Sequence, residues 1–372
     1  MKFYSFARFL AVLSLAVFPV AARAQVAGGS PSPLGFAPSP AAGPVAPPAP
    51  YVTPAPFPNP SVPSTVSPVP EPYVPVARGE PVGAQEIITR LQIFLDQQNF
   101  GPGKIDGRWG EFTGKALIHY QRAHKLPETG QVDASIPIES VYPIYTMYQI
   151  TPVDAKSVHP TPAKPADQAH MKYMGYRSLL EFLEERFHSD PNFIRKINPG
   201  MKLDALKVGD SVRVPNVAPF KLEDCREIAH LPDQPQFLSR TIYISPRDKM
   251  LDLYDGKSLI AAFPITPGST SLPAPPGVWM ILGIAEMPWF RWDEMMLYHG
   301  KRSSDYFDIP AGPRNPVGVI WMALDKPGIG IHGTSTPETI GRSGSHGCIR
   351  LANWDAIRLS GMVTSNMTVI IE

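Results

Sequence analysis

The chain has 372 residues, 43% of them hydrophobic, which is enough for two or three folded domains. A formal net charge of +1 gives no electrostatic footing for nucleic acid, so a polymer ligand would be met by local groups and aromatic side chains. With only two cysteines, Cys225 and Cys348, the fold is not a disulfide-built scaffold.

Residues 1–24 read as a secretory signal. Lys2 and Arg8 are basic, Phe9 to Phe18 is almost wholly apolar, and Ala22-Arg23-Ala24 is an A-x-A cleavage site. The apolar run falls short of the roughly 20 residues that span a bilayer, and no later stretch offers such a run. The expectation is an exported protein with no transmembrane span after cleavage. Residues 25–80 are Pro- and Ala-rich, with seventeen prolines between Pro31 and Pro75, and read as an extended, disordered linker.

Order is expected from about residue 81. Ile87, Ile88, Leu91 and Leu95 share a helical face, and Phe100-Gly101-Pro102-Gly103 stops that helix. Thr113 is placed to cap a second helix that carries Ala116, Leu117 and Tyr120. The run Phe100 to Gly110, then Thr113, Tyr120-Gln121 and Leu126-Pro127-Glu128-Thr129-Gly130, resembles the small three-helix peptidoglycan-binding domain. The resemblance implies an all-α module over 81–138 that binds peptidoglycan.

Residues 146–217 hold a short strand at Tyr148 to Thr151, a polar insertion to about Gln168, and a helix with Leu179, Leu180, Leu183 and Phe187. A second helix opens at Asp190-Pro191, and a strand follows over Ser211 to Pro215. Two helices, Asn198-Pro199, Leu206-Lys207-Val208-Gly209 and a strand ending in Val-Pro resemble a LysM module. That likeness implies a small α/β glycan-binding unit; a spacer packed on the next domain is the alternative.

From about residue 238 the pattern turns to β. Strands are expected at Thr241 to Ile244, Met250 to Tyr254, Leu259 to Ile265, Val278 to Leu282 and Val317 to Leu324, with an Asp255-Gly256 hairpin turn. Asn353 is placed to cap a helix through Leu359, and Thr368 to Ile371 closes the sheet. Pro288 to Asp308 is an aromatic-rich insertion that fits a substrate wall or a self-packed loop equally.

Within this region, His332-Gly333-Thr334 precedes Ser345-His346-Gly347-Cys348-Ile349-Arg350-Leu351. A thiol attacks carbonyls as the thiolate, and a free Cys titrates near about 8.5, so a reactive Cys needs a neighbouring base. His332 and His346 are the candidates. Gly347 permits a tight turn before Cys348, and the N–H groups of Gly347 and Cys348 could face an oxyanion. Zinc binding lacks a fourth ligand at a usual spacing and leaves the glycines unexplained; a buried inert thiol is the other bland reading.

The same motif resembles the signature of the L,D-transpeptidases, cell-wall enzymes with a cysteine nucleophile. The resemblance implies a mainly β catalytic domain over 238–372 within a multidomain chain. It makes Cys348 the nucleophile, His332 the general base and the Gly333 carbonyl the group that orients its imidazole, with His346 and Gly347 in the oxyanion pocket. Arg350, Thr334 and Ser345 are assigned to substrate binding, Arg350 alternatively to anchoring the loop. The implied substrate is a peptidoglycan stem tetrapeptide, captured as a thioester and passed to an amine, in the periplasm. Neither a metal nor an organic cofactor is required. A pairing of Cys225 with Cys348 would disable the nucleophile, so no structural disulfide is expected. Hydrolysis of the same acyl-enzyme, or wall binding by an idle domain, are the rival functions.

Overall fold

The computed structural model describes residues 82–225, 230–269, 272–342, 344 and 347–372. The signal sequence, the Pro-rich linker, Ser345 and His346 lie outside the described residues.

Helices α1 (Val82–Gln97) and α2 (Glu111–Ala123) form the first module, closed by a 3-10 turn at Ile138–Ser140 in place of a third α-helix. The buried side of α1 is Leu91, Ile93, Phe94 and Leu95, whereas Ile87 is half exposed. Phe94 meets Tyr120 of α2 edge-on at 5.1 Å. Thr113 is not the cap: Gly110 occupies that position, and Thr113 is buried one turn further on, where the Gln92 amide donates to its Oγ1 at 3.2 Å. The side-chain oxygen of Gln92 also accepts from the N–H groups of Asp106 and Gly107, which fixes the turn between the helices.

In the middle module, β1 (Tyr145–Gln149) pairs antiparallel with β2 (Ser211–Pro215). The first strand sits earlier than its sequence suggests, because Thr151 forms a capping box with Asp154 and starts α3 (Pro152–Lys156). After α4 (Pro165–Gln168) come α5 (Leu179–Arg186), capped by Ser178, and α6 (Pro191–Ile197), capped by Asp190. Leu180, Leu183, Phe187, Phe193 and Ile194 turn inward.

The remainder is mainly β. Strands β3 (Arg240–Ser245), β4 (Met250–Asp255), β5 (Ser258–Pro264), β6 (Gly277–Glu286), β7 (Phe290–Trp292), β8 (Phe307–Ile309), β9 (Ile320–Leu324), β10 (Gly330–His332), β11 (Ile349–Arg350) and β12 (Thr368–Ile371) accompany α7 (Glu294–His299) and α8 (Asn353–Ser360). Eight of them form one sheet in the order β11-β10-β9-β6-β12-β3-β4-β5, and β7 with β8 makes a separate ribbon. The expected strand at 317–324 begins only at Ile320, since Gly318 takes a left-handed φ of +65°.

The three parts share one apolar core that runs from Leu91 to Ile371. The first module closes the edge of the sheet: Gly101 N–H donates to Ala262 O at 2.8 Å, and Ala262 N–H to Asn99 O at 3.0 Å. Beneath this seam the carboxylate of Asp96 meets Arg358 at 2.9 and 2.7 Å and His188 at 3.0 Å, while Trp354 stacks on His188. The modules are docked and not tethered beads.

Candidate active site

Strand β10 lies between β9 and β11, and it pairs parallel with β11 so that Ile331 faces Ile349 and His332 faces Arg350. Sixteen residues of sequence therefore fold back to bring the segment around Cys348 alongside His332. Gly347, with φ +94°, makes the turn into this strand, which a side chain would strain.

His332 is buried and stacks on Trp321, ring centroids 5.4 Å apart. Its Nδ1 lies 2.6 Å from Gly333 O. A carbonyl only accepts, so Nδ1 carries the hydrogen and Nε2 is left as the basic nitrogen. Burial pulls the imidazole down to about 3, and Arg350 adds to this, against the carbonyls of Gly333 and Val317. Cys348 is half-buried, and its thiol lies 3.5 Å from Gly328 O. Burial pushes this thiol up to about 11, against the Gly330 N–H and Arg350. The resting pair is thus neutral thiol and neutral imidazole.

The loop after His332 is held by Asn353. Its side-chain oxygen accepts from Val319 N and Thr334 N, both at 3.2 Å. A Cβ on Gly333 would stand 2.1 Å from that oxygen, so glycine is required for the approach. Asn353 is therefore not a helix cap; Ala352 occupies the cap position and Asn353 is fully buried. Thr334 is buried, and its hydroxyl accepts from Thr336 N at 3.2 Å. Arg350 donates to Gly344 O at 2.6 Å and has no salt bridge among the described residues.

Cys348, His332, Thr334, Gly347 and Arg350 all line one cleft of about 1700 Å³. The aromatic insertion is both self-braced and a wall of that cleft. Asp293 caps α7 and binds Ser303, and Arg291 lies over Tyr306 at 3.4 Å. Trp289, Phe290, Trp292 and Met296 face the cleft. Pro165, Gln168 and Lys172 from the middle module also line the cleft, a contribution that no local motif announces. Neither Cys225 nor Cys348 is in a disulfide. Burial raises the Cys225 thiol to about 12, which leaves it unreactive at neutral pH. Among the described residues no cluster of His, Cys, Asp and Glu could hold a metal ion.

Residues 239–371 match the family of the L,D-transpeptidase catalytic domain, and residues 84–136 that of the putative peptidoglycan binding domain. The putative L,D-transpeptidase YkuD of Bacillus licheniformis is 25% identical over 192 residues, covering 52% of this chain and 92% of that protein. Its namesake in Bacillus subtilis is 43% identical over 60 residues, covering 16% of this chain and 37% of that protein. A solved L,D-transpeptidase from Mycobacterium smegmatis is 17% identical, with a TM-score of 0.30, over 36% of this chain and 58% of the other, a likeness too slight to bear on function. The mainly β part of this chain is an L,D-transpeptidase catalytic domain by family, joined to a peptidoglycan-binding domain at 84–136.

Proposed function

We propose that this protein is an exported L,D-transpeptidase acting on peptidoglycan stem tetrapeptides. The reading rests on one observation: His332 and Cys348 come from adjoining parallel segments that line the same cleft, with the imidazole Nδ1 already committed to Gly333 O. Cys348 Sγ attacks the carbonyl carbon of the third stem residue while His332 Nε2 takes the thiol proton. The oxyanion is received by the N–H groups of Gly347 and Cys348. Collapse breaks the bond to the terminal D-alanine, whose amine leaves with the proton from His332. An amine on a second stem then attacks the thioester, forming the cross-link and freeing the thiol.

The charge of the cleft suits a peptide bearing several carboxylates. Lys172, Arg302, Lys326 and Arg350 line it, and its acidic residues are Glu286 and Asp293, the latter already bonded to Ser303. Arg350 and Thr334 would contact the donor stem. The middle module is proposed as a LysM-like glycan site, a reading supported by its paired β1 and β2 with α5 and α6 between them in sequence. Work on the wall implies a periplasmic setting. Among the described residues no helix is long and apolar enough to cross a membrane.

The deciding experiment is incubation of the reduced protein with disaccharide tetrapeptide, with and without an amine acceptor. Release of D-alanine, a thioester mass on the protein and a cross-linked product are expected. Tripeptide alone would make the enzyme a carboxypeptidase, and no reaction would leave it a wall-binding protein.

A second expectation follows from the neutral resting pair. With the thiol near about 11 and the imidazole near about 3, alkylation by iodoacetamide should rise about tenfold per pH unit between roughly pH 7 and 10. A plateau around pH 7 would reveal a preformed thiolate–imidazolium pair and overturn this picture.

A further inference from the structure

We propose that Glu185, which lies in the middle module outside the family-matched residues 239–371, is a positioning residue for His332. The inference rests on the reading of His332 as the general base.

Asn353 Nδ2 donates to Glu185 Oε1 at 2.8 Å and to Pro313 O at 3.2 Å. Its Oδ1 takes the N–H groups of Val319 and Thr334, so all the bonding capacity of the amide is engaged from a fully buried position. The other Glu185 oxygen accepts from Tyr176 Oη at 2.5 Å. Two donors on two oxygens leave the carboxyl a single orientation, and that orientation fixes which end of the Asn353 amide faces the Gly333-Thr334 backbone. Gly333 O in turn holds His332 Nδ1.

The geometry allows little slack. A Cβ on Gly318 would lie 2.0 Å from Asn353 Oδ1, as it would at 2.1 Å on Gly333, so the amide touches bare backbone on both sides. The segment before α5 is stitched to the same loop, with Met174 N–H donating to Ala311 O at 2.8 Å and Arg314 N–H to Met174 O at 3.0 Å. Burial pushes the Glu185 carboxyl up to about 8, against its bonds to Tyr176 and Asn353. A buried carboxyl costs stability that an apolar residue of similar size would not. Its return here is the orientation of a neighbour. Remove it, and one Asn353 N–H is orphaned in the core, the amide can rotate, and the carbonyl that sets the imidazole is released.

The test compares Glu185→Leu, which keeps the packing, Glu185→Gln, which can satisfy both partners once Tyr176 reverses its bond, and Tyr176→Phe. In full-length protein with native circular dichroism, Glu185→Leu should lower kcat for D-alanine release by roughly 10–100-fold with KM within about twofold, and Glu185→Gln should recover most of it. Tyr176→Phe, the milder change, should lose roughly 3–10-fold and decides the matter if Glu185→Leu does not fold. A readout independent of activity is the His332 Nδ1–H resonance in 15N-histidine protein, identified by its loss in His332→Ala. It should be sharp in the wild type and broadened or exchanged in Glu185→Leu. Unchanged kcat in the folded variants, or a loss equal to the unfolded fraction, would overturn the inference. If the wild type releases no D-alanine, the proposed function fails while the resonance still judges the link from Glu185 to His332.

Discussion

Cys348→Ala should fold normally and gain no mass from a carbapenem or a stem tetrapeptide, while the wild type gains one acyl group. The Cys348 side chain is half-buried and the change to Ala removes only its sulfur, so the fold should survive it. The loss of acylation should be complete, because no second thiol reaches the cleft: Cys225 does not line it. His332→Ala should acylate more slowly by roughly 10²–10⁴-fold, the usual contribution of a positioned base. Intact mass against time measures both. Uptake of mass by Cys348→Ala would move the nucleophile elsewhere, and an unimpaired His332→Ala would remove the imidazole from the mechanism.

The second large effect concerns stability. Asp96→Ala should cost about 3–5 kcal/mol, because it leaves Arg358 charged beneath the seam without its partner. Asp96 is fully buried, and burial alone would raise its carboxyl. His188 and Arg358 outweigh burial and hold it well below the usual carboxylate range. A carboxyl lowered in the folded state stabilises above its unfolded value and loses that contribution as pH falls through the acid range. His188 is lowered by burial, and its neutral form likewise favours folding until pH drops below about 6.5. Asp355 runs the other way: burial raises it to about 8, so its contribution is full only at low pH and fades as pH rises towards 8. Urea midpoints should therefore fall in Asp96→Ala at neutral pH, and the gap to the wild type should narrow on acidification. A midpoint within error of the wild type would mean that Arg358 finds another partner.

Much of this was legible because it is local. The alternation of Ile242 and Ile244, the Asp255-Gly256 turn with Gly256 at φ +57°, and the pair of motif halves around His332 and Cys348 each depend on neighbours in sequence. The misreadings have a common origin in contacts from far along the chain. Asn353 carries the side chain of a helix cap, yet burial under Glu185, 168 residues earlier, turns it into a tie between loops. Thr113 likewise resembles a cap and is claimed by Gln92. Ile87 continues the apolar stripe in sequence yet stands half exposed. The share of the cleft lining that includes Lys172 depends on how the middle module docks, which no periodicity encodes.

Helix α8 follows β11 and carries Asn353, Trp354 and Arg358, each gripping a residue outside the family-matched 239–371. A fragment cut at residue 239 would strip Glu185 from Asn353, His188 from Trp354 and Asp96 from Arg358. A boundary drawn by sequence similarity is therefore not a boundary of folding: residues 239–371 are recognisable by themselves, yet α8 leans on side chains that precede them.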